Sequence, residues 1–353
     1  MISADSPLRP VSRAFHVAAA LAVVCMIALA RTNESAYEHL VQEDRFVEWL
    51  TVAFFLAAAV VGGARAIRAR SLFDGLVAVF CIAAAGEEVS WGQRFVGFTP
   101  PDVFLANNAQ QEANLHNMFE AFGQPKWTLI ALLAAYGVAL PLCTRIRWTR
   151  QVVERLRMTA PPWSLVPWYA VAIALLIAYP VRFTGEWVEA IAGALFFFST
   201  RPAPRVALIG TVVCAAAALA GDRAAGALVP ARARSPELVA CAQAEAGAFR
   251  EMLRAQVLDE TRDRVHRRVW SVWRAEGRSE FLPPLATAEP KCGGESIAEA
   301  VRRRRYAIDP WGSAYWVRVT DAAVTVYSFG PNRRRHVGAT SVGDDIVVGP
   351  PAR

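Results

Sequence analysis

Seven apolar runs, each about 15–23 residues long and each bordered by charge, leave this chain few folds to choose from. They cover roughly 14–30, 47–67, 72–94, 127–143, 163–181, 185–199 and 206–220. A helix rises about 1.5 Å per residue, so runs of this length match the ~30 Å hydrocarbon core of a bilayer. The chain is 54% hydrophobic with a mean hydropathy of +0.26, too apolar for an ordinary soluble protein. The pattern predicts an α-helical polytopic membrane protein with about seven transmembrane helices. A cleaved signal peptide competes for the first run. No clear small-residue cleavage site follows it and further runs do, so a retained span is expected.

Arginine placement sets the orientation. The N-terminal tail and the connections at 65–71, 144–157 and 201–205 are basic, whereas those at 31–46 and 95–126 are acidic or mixed. The positive-inside rule then places the N-terminus in the cytoplasm of a bacterial cell, and an odd number of spans places residues 222–353 outside its inner membrane. The chain carries 38 Lys+Arg against 31 Asp+Glu, a net charge of +7. Topology absorbs that excess, and no nucleic-acid partner is expected.

Composition changes after the last run. The expected division is a transmembrane domain over 1–221, a Pro/Ala/Arg-rich linker over 222–234 and an extracytoplasmic α+β domain over 235–353. Ser235-Pro236-Glu237 reads as an N-cap, a proline at N1 and an acid in the first turn. An amphipathic helix is expected from there to about Ala275, with Leu238, Phe249, Leu253, Val257, Val265, Val269 and Trp273 as its apolar stripe. A short helix around Ser296 to Arg304 and strands at 314–319, 323–329 and 345–348 follow. Cys25, Cys81, Cys143 and Cys214 lie in apolar runs and read as packing residues. Cys241 and Cys292 lie in the polar part and are expected to form a disulfide in an oxidising compartment.

The stretch Gly86-Glu87-Glu88-Val89-Ser90-Trp91-Gly92-Gln93-Arg94 ends the third run. Glu87 and Glu88 lie there about one helical turn inside the hydrocarbon boundary, where carboxylates are costly and mark functional sites. A helix continuing to Arg94 would place Glu87, Ser90, Trp91 and Arg94 on one face. A structural Glu87–Arg94 pair is the plainer alternative. Glu48, Glu186 and Glu189 begin the second and sixth runs at the same depth. They form a supporting acidic cluster, or simply sit well with the dipoles of helix N-termini. The outer connection adds Asn114-Leu115-His116-Asn117. In the functional reading, neighbouring carboxylates hold one proton between them and His116 is a second proton carrier. Asn114 and Asn117 orient His116 or the substrate. A divalent metal held by the carboxylates and His116 is the competing chemistry.

Two resemblances extend this. Asp309-Pro310-Trp311-Gly312-Ser313-Ala314-Tyr315, Val326-Tyr327-Ser328-Phe329-Gly330-Pro331-Asn332 and Gly343-Asp344-Asp345-Ile346 resemble the C-terminal domain of type II secretion major pseudopilins over roughly 300–348. The resemblance implies that fold module and a calcium ion in its last loop, with the family's positions falling on Ser328, Asn332, Asp344 and Asp345. Arg333 to His336 stand where the family's loop is glycine-rich and often acidic. The membrane part, with GEEVSWGQR followed by Asn114-Leu115-His116-Asn117, resembles a group of uncharacterised bacterial polytopic membrane proteins and implies no established activity.

Three functions compete, and whether the chain is an enzyme stays open. The first is a membrane-embedded hydrolase or transferase on a lipid or lipid-linked substrate, using Glu87, Glu88 and His116 with Ser90, Arg94, Asn114 and Asn117. The second is a non-enzymatic envelope protein whose α+β domain docks a secretion-type partner. The third is a proton-coupled transporter with the glutamates as its relay. No Walker loop, dinucleotide fingerprint or serine nucleophile elbow occurs.

Overall fold

The structure is a computed structural model that describes residues 13–42, 44–96, 98–108, 110–115, 117–118, 125–179, 181–227, 235–257, 266–269, 272, 292–320, 323–331 and 345–349. The chain divides into two compact units, one of residues 1–89 and 123–223, the other of residues 90–122 and 224–353.

The first unit is helical. Its elements are α1 (Arg13–Thr32), α2 (Glu34–Val41), α3 (Phe46–Ala69) and α4 (Leu72–Glu88). After α5 (Gln93–Val96) and α6 (Asp102–Asn107), which belong to the second unit, come α7 (Pro125–Leu132), a wide-turn segment at Leu133–Ala139, α8 (Leu140–Cys143) and α9 (Arg147–Arg155), then the helices Val166–Ala178, Thr184–Ser199 and Pro204–Ala227. Each apolar run of the sequence is helical over most of its described residues, the third as far as Glu88 and the fifth as far as Ala178. Among the described residues, however, three segments are long and apolar enough to cross a membrane on those grounds alone: Phe15–Thr32, Glu34–Ala69 and Pro204–Ala224. The count rises to four if Trp127–Cys143 and Arg147–Arg155, bent by 112°, form one span. The shortfall from seven has a physical source. The helix α4 is 17 residues long and carries Asp74, Glu87 and Glu88, and Val166–Ala178 has 13 residues.

Close packing around α3 holds this unit together. Gly193 brings Thr184–Ser199 against α3 so closely that a Cβ there would lie 3.1 Å from Phe54 Cβ and 3.2 Å from the Thr51 carbonyl oxygen. Phe55, Phe80, Tyr136 and Phe196 then form an aromatic layer, with Tyr136 stacked on Phe196 at 4.7 Å. Within the wide-turn segment, a Cβ on Gly137 would sit 2.0 Å from the Tyr169 ring, whose hydroxyl shares a hydrogen bond with Ser199. Overpacking a filled core typically costs 1–3 kcal/mol. Gly137→Ala is therefore expected to lower the unfolding free energy in detergent by about 2 kcal/mol. A melting curve identical to wild type would refute the tight contact.

The polar ties of this unit gather at separate places. Arg65 pairs with Asp74 at 3.2 Å and donates to the Thr200 carbonyl; Ser71 donates to the Arg157 carbonyl, and Arg201 to that of Ala160. The basic connections 65–71, 144–157 and 201–205 are thereby linked to one another. Elsewhere, Tyr37 donates to the Arg182 carbonyl and accepts from Trp187 Nε1, while Arg182 approaches Glu38.

The second unit is α+β. The helix Pro236–Val257 packs on a four-stranded antiparallel sheet in sequential order, His266–Arg268, Trp316–Thr320, Ala323–Ser328 and Ile346–Val348. The described part of the helix ends at Val257, and the single helix expected to run to Ala275 is interrupted, because His266–Arg268 is extended and pairs with Trp316 to Arg318. Val269 still reaches the core, but in a different backbone context. Val265 and Trp273 lie outside the described residues. The short helix Ile297–Arg305 opens with a capping box in which Ser296 and Glu299 satisfy each other's backbone N–H groups. Residues 90–122 belong to this unit. Leu105, from the helix Asp102–Asn107, is fully buried in the same cluster as Phe249, Leu253, Tyr306 and Tyr315. Gln111 donates to the Tyr306 carbonyl at 2.8 Å, and Arg302 binds Asp102 and the Pro100 carbonyl.

Candidate functional site

The segment that follows the two glutamates leaves the helix abruptly. Glu88 is the last residue of α4, and the continuation to Arg94 expected from the sequence does not form. Ser90, Trp91 and Gly92 have φ values of 46°, 54° and 79°. Left-handed backbone is routine for glycine, but at Ser90 and Trp91 it carries a cost that surrounding contacts must hold in place. The single face joining Glu87, Ser90, Trp91 and Arg94 is therefore broken. Trp91 is turned outward and about half exposed, while Ser90 is fully buried.

What holds the turn is a polar network from the connection that follows it, residues 108–114. Ser90 Oγ donates to Glu112 Oε2 at 2.5 Å and accepts from Asn114 Nδ2 at 2.9 Å. Asn114 Nδ2 also reaches Glu112 Oε2, and Asn108 Nδ2 donates to both the carbonyl and side-chain oxygens of Asn114. Gln93 Oε1 accepts from the Ala113 backbone N–H, and Asn117 Nδ2 donates to Gln110 Oε1. Ser90, Gln93, Asn108 and Asn114 are all buried, and their hydrogen bonds offset the desolvation that burial imposes. Ser90 and Gln93 of the GEEVSWGQR stretch thus meet Asn114 and Ala113 of the connection. Ser90 donates to Glu112 and accepts from Asn114, so its hydroxyl braces the turn from both sides.

Glu87 and Glu88 occupy the last turn of α4, half-buried and directly before this turn. Of the other residues singled out, His116 and the Arg94 side chain lie outside the described residues. Glu48 is buried, and its Oε2 accepts from the Asp44 backbone N–H at the start of its own helix. That is a capping role, which the dipole argument anticipates. Glu186 and Glu189 lie in the first two turns of Thr184–Ser199. Glu112, Asn108 and Gln93 were missed in the sequence. A lone acid on a polar connection carries no signal until the fold supplies its serine and asparagine.

The second unit holds a further polar cluster. Cys241 and Cys292 are joined by a disulfide, with Cα atoms 5.6 Å apart. Beside it, Arg303 forms a two-pronged pair with Glu245, Nη1 to Oε2 and Nη2 to Oε1, both at 2.7 Å. Arg304 Nε and the Tyr315 hydroxyl bind the same carboxylate, and Arg303 also contacts Glu295 and the Ile308 carbonyl. Burial pushes the Glu245 carboxyl up, but Arg303, Arg304 and Tyr315 outweigh it and hold the group below the usual carboxylate range. Among the described residues, Cys241, Glu245 and Cys292 are the three side chains close enough together to suit a metal ion. With both sulfurs in a disulfide they have no thiolate to offer, and Glu245 is already engaged by arginine.

For calcium, Ser328 is buried and its hydroxyl donates to Asp309 Oδ2 while accepting from the Gly330 N–H. Asp309 Oδ1 accepts from the N–H groups of Trp311 and Ser313, so the Asp-Pro-Trp-Gly segment is organised by its own aspartate. Asp345 opens the last strand, and Asn332 and Asp344 lie outside the described residues. Comparison with protein-family models, curated proteins and solved structures returns no match. The chain therefore stands here on its class alone: a mostly helical protein with several candidate spans and an α+β unit built on a small antiparallel sheet.

Proposed function

We propose that the chain is a seven-span protein of the bacterial inner membrane, cytoplasmic at its N-terminus and extracytoplasmic in its α+β unit. It acts as a hydrolase or transferase on a lipid or lipid-linked substrate at the outer end of α4. Three features support the membrane reading. Val17, Leu21 and Val24 on α1, Leu76, Val79 and Ile82 on α4, and Leu208, Val212 and Leu219 on Pro204–Ala227 all point outward. So many outward apolar stripes suit lipid and would be a liability in water. The linked connections at 65–71, 144–157 and 201–205 are the arginine-rich ones, as a cytoplasmic end requires. Finally, residues 90–122 and 224–353 form one unit, so the chain between them must cross an even number of times. Four crossings satisfy this. Labelling should find residues 110 and 300 outside and residue 150 inside. Residues 150 and 300 on one side would end the seven-span topology.

The observation that carries the site is the left-handed turn at Ser90 and Trp91, locked by Glu112 and Asn114 directly after Glu87-Glu88. Backbone strain of this kind persists where a fixed geometry is needed. Here it directly follows, along the chain, the two carboxylates that end α4. One carboxylate holding a proton while its neighbour stays ionised supplies an acid and a base. His116, on the same connection as Asn114, is the second proton carrier in this reading, or a ligand should the carboxylates hold a divalent metal. Lipid extracts from cells producing the wild type are expected to differ in at least one lipid or lipid-linked species from extracts of the Glu87→Gln/Glu88→Gln variant. An amide keeps the hydrogen bonding but cannot exchange the proton. Identical extracts at equal membrane expression would sink the catalytic reading.

The second reading, docking of an envelope or secretion partner by the α+β unit, is favoured by one observation. Asp309 and Ser328, both in the pseudopilin-like motifs, are bonded to each other as a structural pair. That pairing suits a scaffold that presents a surface.

A further inference from the structure

We infer that the helix Arg147–Arg155 (α9) lies flat in the cytoplasmic headgroup layer and binds anionic phospholipid. This rests on the spanning reading given above. The apolar helix Trp127–Cys143 bends by 112° into α9, so if the first crosses the bilayer, the second runs close to the membrane plane. The sequence of α9 is RWTRQVVER. Trp148, Val152 and Leu156 follow one another at four-residue intervals and make one stripe. All three are exposed, Trp148 to 71%. A tryptophan that open to water is costly, whereas the bilayer interface is where its ring is best placed.

The orientation is fixed from the protein side. Val153, off that stripe, is buried against Leu140 and Ala160, and Thr149 Oγ1 donates to the Cys143 carbonyl. The stripe therefore cannot roll inward to cover itself. Arg147, Arg150 and Arg155 are exposed, and the only acid on the helix, Glu154, is paired with Arg150 at 2.7 Å. Arg145 stacks over the Trp163 ring at 4.7 Å just before the helix. The exposed Arg68 and Arg70 lie on the connection tied to Arg157 through Ser71. An exposed apolar stripe flanked by arginine and almost free of acid matches the negative surface of the cytoplasmic leaflet. Phosphate oxygens would take the guanidinium groups while the stripe enters the acyl boundary.

The test uses the full chain with Cys25 and Cys143 replaced by serine and a nitroxide at Val152→Cys. It is reconstituted in nanodiscs of phosphatidylcholine alone or with phosphatidylglycerol. Collision with oxygen and with an aqueous nickel chelate is read by electron paramagnetic resonance. A second label at Val212→Cys reports on the apolar helix Pro204–Ala227. The expected result is a shallow label at 152, shielded from nickel more strongly in the mixed bilayer. Replacing Arg147, Arg150 and Arg155 by glutamine should release it, each neutralised arginine weakening the association about fivefold. A 152 label equally open to nickel in both bilayers, with 212 shielded, would overturn the inference and favour a protein partner for the stripe. A 152 label as deep as 212 would also overturn it, making α9 part of a broken span. An aqueous 212 label would remove the spanning reading instead. The 152 label would then decide the helix alone, since shielding by mixed bilayers supports surface binding and no shielding refutes it.

Discussion

Replacing Arg303 with methionine should cost the α+β unit about 3–5 kcal/mol, the penalty for leaving a buried charge without its partner. Arg303 and Glu245 are both almost wholly buried, and the carboxylate would lose one hydrogen bond on each oxygen. Glu295 and the Ile308 carbonyl would lose a donor at the same time. Hydrogen exchange in 236–257 and 316–328 is the measurement, because it reads this unit within the whole protein. Exchange unchanged from wild type would show that the pair contributes nothing. The double variant Glu245→Leu/Arg303→Met should recover only part of the loss, since it removes the stranded Glu245 charge but takes that carboxylate from the buried Arg304. The pH dependence follows with a definite sign. The folded carboxyl of Glu245 lies below its unfolded value of about 4.3, so its contribution is complete above that pH and is lost as pH falls through the folded value. Glu245→Gln should remove that part of the acid sensitivity.

The second large effect belongs to the disulfide. Cys241 and Cys292 are 51 residues apart in sequence, and closing a loop of that length restricts the unfolded chain by about 4 kcal/mol on the chain-entropy account. The double serine variant should unfold this unit at markedly lower denaturant, whereas the first unit should melt unchanged. Free thiols on both cysteines in protein purified without reductant would refute the bridge. Cys292 Sγ also accepts from Arg303 Nη2 at 3.0 Å, so the bridge and the ion pair are neighbours. Their losses should therefore not add, and the combined variant should cost less than the sum.

Much of the helical unit was legible because hydropathy is a long-range average that no single contact overrides. Each apolar run holds a helix over most of its length, and Ala323–Ser328 and Ile346–Val348 fall where alternation and turn residues put them. The losses occurred where one local preference met a tertiary contact. The i, i+3, i+4 and i+7 spacing continues past Glu88, but Val89 to Gly92 are weak helix formers, and Glu112 and Asn114 hold Ser90 in a turn. The apolar stripe of Pro236–Val257 continues in sequence to Trp273, but pairing with Trp316 to Arg318 draws His266–Arg268 into the sheet. The helices Glu34–Val41 and Arg147–Arg155 were hidden because they are short and charged, and their stability comes from docking. At the site, Glu87, Glu88, Ser90 and Asn114 could be named from residue type and depth. Glu112 could not, since its meaning depends on a contact 22 residues away.

The second unit is assembled from two separated pieces of chain, and that has a consequence for how the protein is made. Leu105 and Gln111 leave the ribosome long before Phe249 and Tyr306, the residues that bury them. Until the C-terminal segment arrives, the connection 90–122 must wait with the apolar Leu105 side chain uncovered and without the Gln111 bond to the Tyr306 carbonyl. Closing so long a loop is slow in chain-entropy terms, and the waiting species is open to misassociation. Maturation of the turn after Glu88 is thereby tied to completion of the polypeptide. A nascent chain halted after residue 223 would carry its two glutamates without the finished unit to which the adjoining turn belongs.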